Sequence, residues 1–402
     1  NKGSKMNVCN ACGSELGDIL FNLKDIPIVD SFKKSKKLAE DVPRITIDIS
    51  QCINCKTVQI TQPISTSEIY LNYIYESSSS PDLNSHFNSY AESILRNFST
   101  ENKILEIGLN DGLLVRNLIK KGFKHIVGID PSPQTGNLKI DGAEIINDFF
   151  SKGKIEDLRQ YYHNYDIIIS NNCFSHIPNL KEILESCRQL LSDEGLLVIE
   201  VQSLNDLLIK CAFDYIYHEH IFYHSLTSID ILCGMVGLRV NDVKHTKVKG
   251  GSYRFFISKS ESTREISGNV NYFKYLERIS NIHNSDCWVR MFQYLIDTKY
   301  KIQEYLQDEE NVIGYGASAT GTVLMRFFEI EDKIKYIVDD NYKRVGSFSP
   351  TTGIPVVAKE NVQKNDLIFL TAWRHKNAIF NQIKHLPNRI LLPMPYPKLI
   401  DE

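Results

Sequence analysis

Apolar residues along the chain fall into strand-sized runs separated by helical spacings. Lys103-Ile-Leu-Glu-Ile107 is one such run; it stops at Gly108, and a helix is expected to begin near Leu113. His125-Ile-Val-Gly-Ile-Asp130, Glu144-Ile-Ile-Asn-Asp148, Tyr165-Asp-Ile-Ile-Ile-Ser170 and Gly195-Leu-Leu-Val-Ile-Glu-Val201 repeat the pattern. Strands that are apolar on both faces belong to parallel sheets covered by helices on both sides, so these runs predict an α/β layer structure. After Pro81, the residues Leu83, Phe87, Tyr90, Ile94 and Phe98 recur at spacings of three and four, the stripe of a helix that covers this sheet. Val240 to Thr246 and Ser252 to Lys259 read as an antiparallel pair closing the sheet edge.

A long helical region, about Val270 to Asp308, leads to a second α/β unit. Its strands are expected at Asn311-Val-Ile-Gly-Tyr-Gly316, Lys335-Tyr-Ile-Val-Asp-Asp340 and Leu367-Ile-Phe-Leu-Thr371. Near the N-terminus Arg44-Ile-Thr-Ile-Asp-Ile49 alternates like a strand. The expected division is 1–70, 71–265 and 266–402. Between the first two parts, Ile69-Tyr-Leu-Asn-Tyr-Ile-Tyr75 precedes a serine run, Ser77 to Ser80, which reads as a flexible hinge.

Length and composition add bounds. A chain of 402 residues with net charge -3 and 42% hydrophobic residues is ordinary for a protein of two or three globular domains. No apolar run approaches the ~20 residues of a membrane span, and the first residues lack the apolar core of a secretion signal, so a cytoplasmic protein is expected. Of the nine cysteines, Cys9, Cys12, Cys52 and Cys55 form two C-x-x-C knuckles, the spacing of a zinc site. With four thiolates no coordination position stays open, so the zinc should be structural. Cys173, Cys187, Cys211, Cys233 and Cys287 lie singly among apolar neighbours and read as core. Zinc ribbons often bind nucleic acid, but residues 1–60 carry nine Lys/Arg against seven Asp/Glu, and Phe21 and Phe32 are the only aromatics there. No basic stacking surface is evident.

Two stretches carry chemistry. Glu106-x-Gly108-x-x-x-Gly112 ends a strand in a glycine turn, and Asp130 at the next strand tip can accept hydrogen bonds from ribose hydroxyls. The turn lacks the G-x-G-x-x-G and G-K-[ST] devices that seat phosphates. Gly314-x-Gly316-Ala-Ser-Ala-Thr-Gly321 also departs from the dinucleotide spacing; its amides could receive a substrate phosphate, or its glycines could serve packing. The second stretch is Phe213-Asp-Tyr-Ile-Tyr217-His218-Glu219-His220-Ile-Phe-Tyr223-His224, whose titratable density points to a site. Metal ligation by His218 and His220 lacks a matching helix spacing, and a satisfied structural cluster is the other reading.

The glycine turn and acidic second strand resemble class I S-adenosylmethionine-dependent methyltransferases. The resemblance implies a cofactor site of Glu106, Gly108, Asn110, Asp111, Gly112, Asp130 and Asn171, with Asp148 and Phe149 beside the adenine. Taken in order, the zinc knuckles, Glu106-x-Gly108-x-Asn110-Asp111-Gly112, Asn172-Cys-Phe-Ser-His176-Ile-Pro178, Tyr217-His-Glu-His220, Gly250-Gly-Ser-x-Arg254 and Gly314-Tyr-Gly-Ala317 resemble sugar-nucleotide C-methyltransferases across nearly the whole chain. These three-domain enzymes methylate C3 of 4-keto-deoxy sugars. The resemblance implies His220 as general base, with Tyr217, Glu219, His176 and Tyr75 (or Tyr73) around the sugar, and Tyr223, Lys249, Arg254, Gly316, Ser318 and Arg374 toward the substrate. Lys249 and Arg374 depart from the family's usual histidine and asparagine, each adding positive charge. A nucleotide-linked keto-deoxy sugar is the expected partner of a monomer or weak homodimer, with no nucleic acid or membrane. The rival readings are sugar O-methylation and an RNA-binding zinc protein with a methyltransferase-like module.

Overall fold

Strands alternate with helices as the apolar pattern requires, and the residues described in this computed structural model, 8–65, 76–79, 81–386 and 388–400, form three sheets. The first joins β1 (Leu16–Pro27), β2 (Arg44–Cys52), β3 (Val58–Ile60) and β9 (Phe222–Tyr223), in that order. The second contains β4 (Lys103–Ile107), β5 (His125–Ile129), β6 (Ala143–Ile146), β7 (Tyr165–Asn171), β8 (Leu191–Gln202), β10 (Leu238–Thr246) and β11 (Ser252–Lys259) in the order β10-β11-β8-β7-β4-β5-β6. The third contains β12 (Val312–Tyr315), β13 (Ile334–Val338), β14 (Val356–Val357), β15 (Leu367–Phe369), β16 (Ile390–Leu392) and β17 (Lys398–Ile400) in the order β14-β13-β12-β15-β16-β17. Residues 66–75 lie outside the description, and with them Tyr73 and Tyr75.

The chain divides into two compact units, each made of three separate stretches. One comprises residues 1–18, 50–206 and 221–283, the other 19–49, 207–220 and 284–402. This differs from three consecutive segments because β1 and β2 each run from one unit into the other.

In the first unit β4 pairs in parallel with β5 and β7, and β8 with β7, while β10 and β11 are antiparallel at the edge. Alternate strand residues supply two cores. Leu105, Ile107, Val127, Ile129, Ile168, Leu197 and Ile199 face one, and Ile104, Ile126, Ile167, Ile169, Leu196 and Val198 the other. Leu83, Phe87, Tyr90 and Ile94, from the helix Pro81–Leu95, join the second cluster as their spacing predicts. The serine run is not a free hinge: Ser77–Ser79 forms a 3-10 turn whose amides donate to Asn110 Oδ1 (2.9 Å) and Asp111 Oδ2 (3.0 Å).

Arg254 sits inside the fold. Strand register sets it opposite Glu200, and its Nε and Nη2 lie 2.8 and 2.7 Å from that fully buried carboxylate. Its guanidinium stacks 3.5 Å from the Tyr90 ring centroid, and His86 Nε2 lies 2.6 Å from the other Glu200 oxygen. A buried carboxylate requires such partners. Burial works to raise the Glu200 pKa, but His86 and Arg254 hold it below its ordinary value.

The second unit has a parallel sheet apart from β17, which is antiparallel to β16. Its helices include Ser285–Leu306 and Ala319–Phe328, the latter capped by Ser318, whose Oγ accepts from Gly321 N at 3.0 Å.

Candidate cofactor cleft, zinc centre and catalytic segment

The sulfurs of Cys9, Cys12, Cys52 and Cys55 lie within 4.8 Å of one another. Cys9 and Cys55 are 3.7 Å apart, Cys12 and Cys52 3.5 Å. Sulfurs placed tetrahedrally about 2.3 Å from zinc are about 3.8 Å apart, so the spacing fits the metal. Knuckle amides point inward, Ala11 N to Cys9 Sγ and Cys55 N to Cys52 Sγ, both 3.4 Å. None of the nine cysteines is in a disulfide.

At the carboxyl ends of β4, β5 and β7 the first unit opens into a cleft. Its polar part is lined by Glu106, Gly108, Asn110, Asp130, Asn171, Asn172, Cys173, His176 and Lys249, and its wall by Leu83 and Phe87. An adjoining apolar pocket is lined by Ile107, Ile129, Pro131, Phe149, Phe150, Ile177 and Pro178, again with Asp130 and His176. Gly108 (φ 78°) is needed at the turn because a Cβ there would lie 2.7 Å from Cys173 Sγ. Cys173, read as core, therefore lies on the cleft wall.

Asp130 accepts from the amides of Asn110 (3.0 Å) and Ser132 (2.8 Å) and from the Thr135 hydroxyl (3.3 Å). It shapes the turn as well as facing the cleft. Glu106 is fully buried, and Oε2 has no partner among the described residues. Burial, then the nearby Asp130 and Asp111, push its pKa well above the usual carboxylate range. Both side-chain polar atoms of Asn171 are likewise buried without a partner among the described residues. Each such group costs about 1–3 kcal/mol unless a ligand satisfies it. The cleft thus fits a ligand with polar groups at one end and a flat apolar ring at the other.

The other expected residues divide between the cleft and the scaffold. Phe149 reaches the pocket, whereas Asp148 is drawn to Lys154, 2.7 Å away, which lowers its pKa. Asp111 holds the serine turn, and Gly112 (φ 75°) precedes the helix Leu113–Lys120. Tyr223 lies buried in β9, paired with Val58. Asn172 and Phe87 also line the cleft, the first from within Asn172–Pro178 and the second from the apolar stripe of the covering helix, where its spacing signals packing rather than a ligand.

The Tyr217–His220 segment belongs to the second unit. Its start is anchored by Asp214, which is fully buried and receives Trp373 Nε1 (3.1 Å) and Arg374 Nη1 (2.7 Å), with a second contact from Arg374 Nη2. Arg374, expected at the substrate, is thus occupied by Asp214 and stacks 4.0 Å from the Tyr215 ring centroid. His220 Nδ1 lies 2.8 Å from Tyr215 O. A carbonyl only accepts, so Nδ1 carries the proton, and in the neutral form of the ring the lone pair is on Nε2. The Tyr217 ring packs against this imidazole at 4.2 Å between centroids. His218 is pushed down to about 4 by burial and stays neutral.

Family models match three consecutive stretches: a putative zinc binding domain at residues 9–70, a methyltransferase domain at 84–243 and a C-methyltransferase C-terminal domain at 247–395. The C-methyltransferase NovU of Streptomyces niveus is 25% identical over 405 residues, covering 98% of this chain and 96% of that protein. Over nearly its whole length the chain is thus similar to a C-methyltransferase. Other likenesses are partial. The ubiquinone biosynthesis O-methyltransferase of Glaesserella parasuis serovar 5 (strain SH0165) is 30% identical over 108 residues, 24% of this chain and 44% of that protein. The solved S-adenosylmethionine-dependent methyltransferase of Anabaena variabilis ATCC 29413 is 12% identical, with a TM-score of 0.37, covering 48% of this chain and 91% of that one.

This C-methyltransferase uses S-adenosylmethionine, with zinc in its N-terminal module. The unpaired atoms of Glu106 and Asn171 and the pocket beside Phe149 fit that cofactor. Among the described residues no helix is long and apolar enough to cross a membrane.

Proposed function

We propose that this enzyme methylates C3 of a nucleotide-linked 4-keto-deoxy sugar, with His220 as the general base. The observation that supports the reading most is the anchoring of His220 Nδ1 on Tyr215 O, which leaves Nε2 as the basic nitrogen. A proton on carbon beside a ketone is weakly acidic, so a positioned imidazole must remove it while hydroxyl donors stabilise the enolate oxygen. Tyr217 is the proposed donor; Glu219, His176 and Tyr75 are proposed to border the sugar, and Lys249 to face the substrate. The bound cofactor supplies an electrophilic methyl group. In this reading Asp130 takes the cofactor ribose and Gly108 its methionine part. Arg254 and Arg374 are assigned to the scaffold, since each is occupied by a buried carboxylate.

The test is proton exchange in heavy water together with mass measurement of methyl transfer to a panel of nucleotide-linked keto sugars. His220→Ala should lose both exchange and transfer, by ~100- to 10,000-fold, while keeping cofactor affinity. His218→Ala should be milder. A His220 variant that methylates at near the native rate would overturn the assignment, and transfer to a hydroxyl without carbon exchange would favour O-methylation.

A further inference from the structure

We infer that the zinc centre positions the segment Asn172–Asn179 of the cofactor cleft, so that metal and cofactor bind with coupled affinity. The helix Leu180–Leu190 begins at Asn179, which has φ 58° and provides no side-chain cap. The first amides of a helix have no intrahelical partner. Here the carbonyls of the first zinc knuckle accept them: Asn10 O from Asn179 N at 2.8 Å, and Ala11 O from Lys181 N at 2.9 Å.

The second knuckle reaches the same segment from its middle. The Cys52 amide donates to Thr57 O, and β3, which starts at the next residue, pairs with β9. From β9 the Phe222 amide donates to Ser175 O at 3.2 Å, and just beyond it His224 Nε2 donates to Phe174 O at 3.2 Å. Gln59, fully buried, ties the first knuckle to β3: Oε1 accepts from Asn10 N at 2.9 Å and Nε2 donates to Ile60 O at 3.1 Å. The held segment supplies Asn172, Cys173, His176, Ile177 and Pro178 to the cleft.

A structural zinc site contributes its binding energy to the conformation of its ligand turns. When those turns relax, the carbonyls of Asn10 and Ala11 and the β3 register relax with them, and the cleft wall loses its supports. Coupling of this kind is reciprocal, so cofactor must tighten zinc by the factor by which zinc tightens cofactor.

The experiment uses the full chain loaded with zinc. Zinc release to a chromogenic chelator is followed with and without saturating S-adenosylhomocysteine, well below the unfolding temperature. Release should slow roughly tenfold with the ligand, a coupling within the usual allosteric range. Gln59→Met, which retains all four cysteines, should keep one zinc per chain yet bind S-adenosylhomocysteine about 5- to 10-fold more weakly, again within that range. Hydrogen exchange should quicken at the amides of Asn179, Lys181 and Phe222 and stay unchanged in β4 and β5. Ligand-independent zinc release would overturn the proposal, as would a zinc-replete Gln59→Met protein of native ligand affinity. If the variant does not fold, the release measurement on the native protein decides alone.

Discussion

In the methyltransferase unit the amide of Gly108 donates to Ile129 O at 2.8 Å, and in the C-terminal unit the amide of Gly316 donates to Val338 O at 2.8 Å. The parallel continues at the next strand tip. Asp130 accepts from Asn110 N and Ser132 N at 3.0 and 2.8 Å; Asp339 accepts from Ala317 N and Asn341 N, both at 2.7 Å. A Cβ on Gly108 would meet Cys173, just past β7, and one on Gly316 would meet Ala372, just past β15. The units part at what lies above the turn. Glu106 and Asn171 leave buried polar atoms without partners among the described residues. In the C-terminal unit Thr371 Oγ1 donates to Gly316 O at 2.7 Å and the Ser318 hydroxyl caps the helix. Among the described residues no side chain from Gly314 to Gly321, nor Asp339, leaves such an atom. A strand-tip carboxylate gripping a glycine turn therefore does not by itself mark a ligand site; unpaired buried polar groups distinguish the turn that can take a ligand.

The largest effect should separate the two carboxylates. Asp130→Ala removes the proposed acceptor for cofactor hydroxyls together with the support of Asn110 N, and should weaken S-adenosylhomocysteine binding by about 1.5–3 kcal/mol in calorimetry. Asp339→Ala should leave that affinity unchanged while lowering stability. Equal losses of affinity in the two variants would break the distinction.

A somewhat smaller effect tests the packing of the C-terminal turn. Gly316 has φ 108°, and an added Cβ would lie 2.4 Å from Ala372 Cβ and 3.1 Å from its backbone nitrogen, which no side-chain rotation relieves. Gly316→Ala should destabilise the fold by about 1–3 kcal/mol in denaturant titration and leave cofactor affinity intact. Native stability in that variant would mean that the turn is loose enough to admit a ligand after all.

Much of this was legible in the chain because burial on both faces makes strands continuously apolar, and because C-x-x-C pairs have few other uses. What escaped depends on register and long-range pairing. Arg254 reads as a polar residue beside a glycine pair until β11 sets it against Glu200. Arg374 and Asp214 are separated by 160 positions, so no local pattern announces their ion pair. Asn110 and Asp111 have the composition of ligand-binding residues, yet their side chains receive the amides of Ser77 and Ser78. Cys173 looks like any small apolar residue, and only the missing Cβ of Gly108 admits it to the cleft wall. Interleaving of the two units is equally silent in the periodicity, which registers that β2 is a strand but not where its two ends pack.

The smallest effect is a pH dependence that singles out Glu106, for which the C-terminal turn offers no counterpart. In the cofactor-free protein its pKa is raised, first by burial and then by the charges of Asp130 and Asp111, so the neutral carboxyl is favoured. A bound cofactor brings positive charge, which favours the carboxylate and lowers that pKa. Between the lowered bound value and the raised free-protein value, binding must release a proton. S-adenosylmethionine affinity should therefore rise with pH until that value is passed and then level off. For folding the sign is opposite: stability of the cofactor-free protein from this group is fully present below the unfolded value of ~4.3 and is lost as pH rises through the folded one. Glu106→Gln stays neutral at every pH, so both slopes should flatten, and affinity on the alkaline side should fall ~3- to 10-fold with the lost charge interaction. Calorimetry in buffers of differing ionisation enthalpy would register the released proton directly. Release of the same number of protons by the glutamine variant would place the coupled group elsewhere in the cleft.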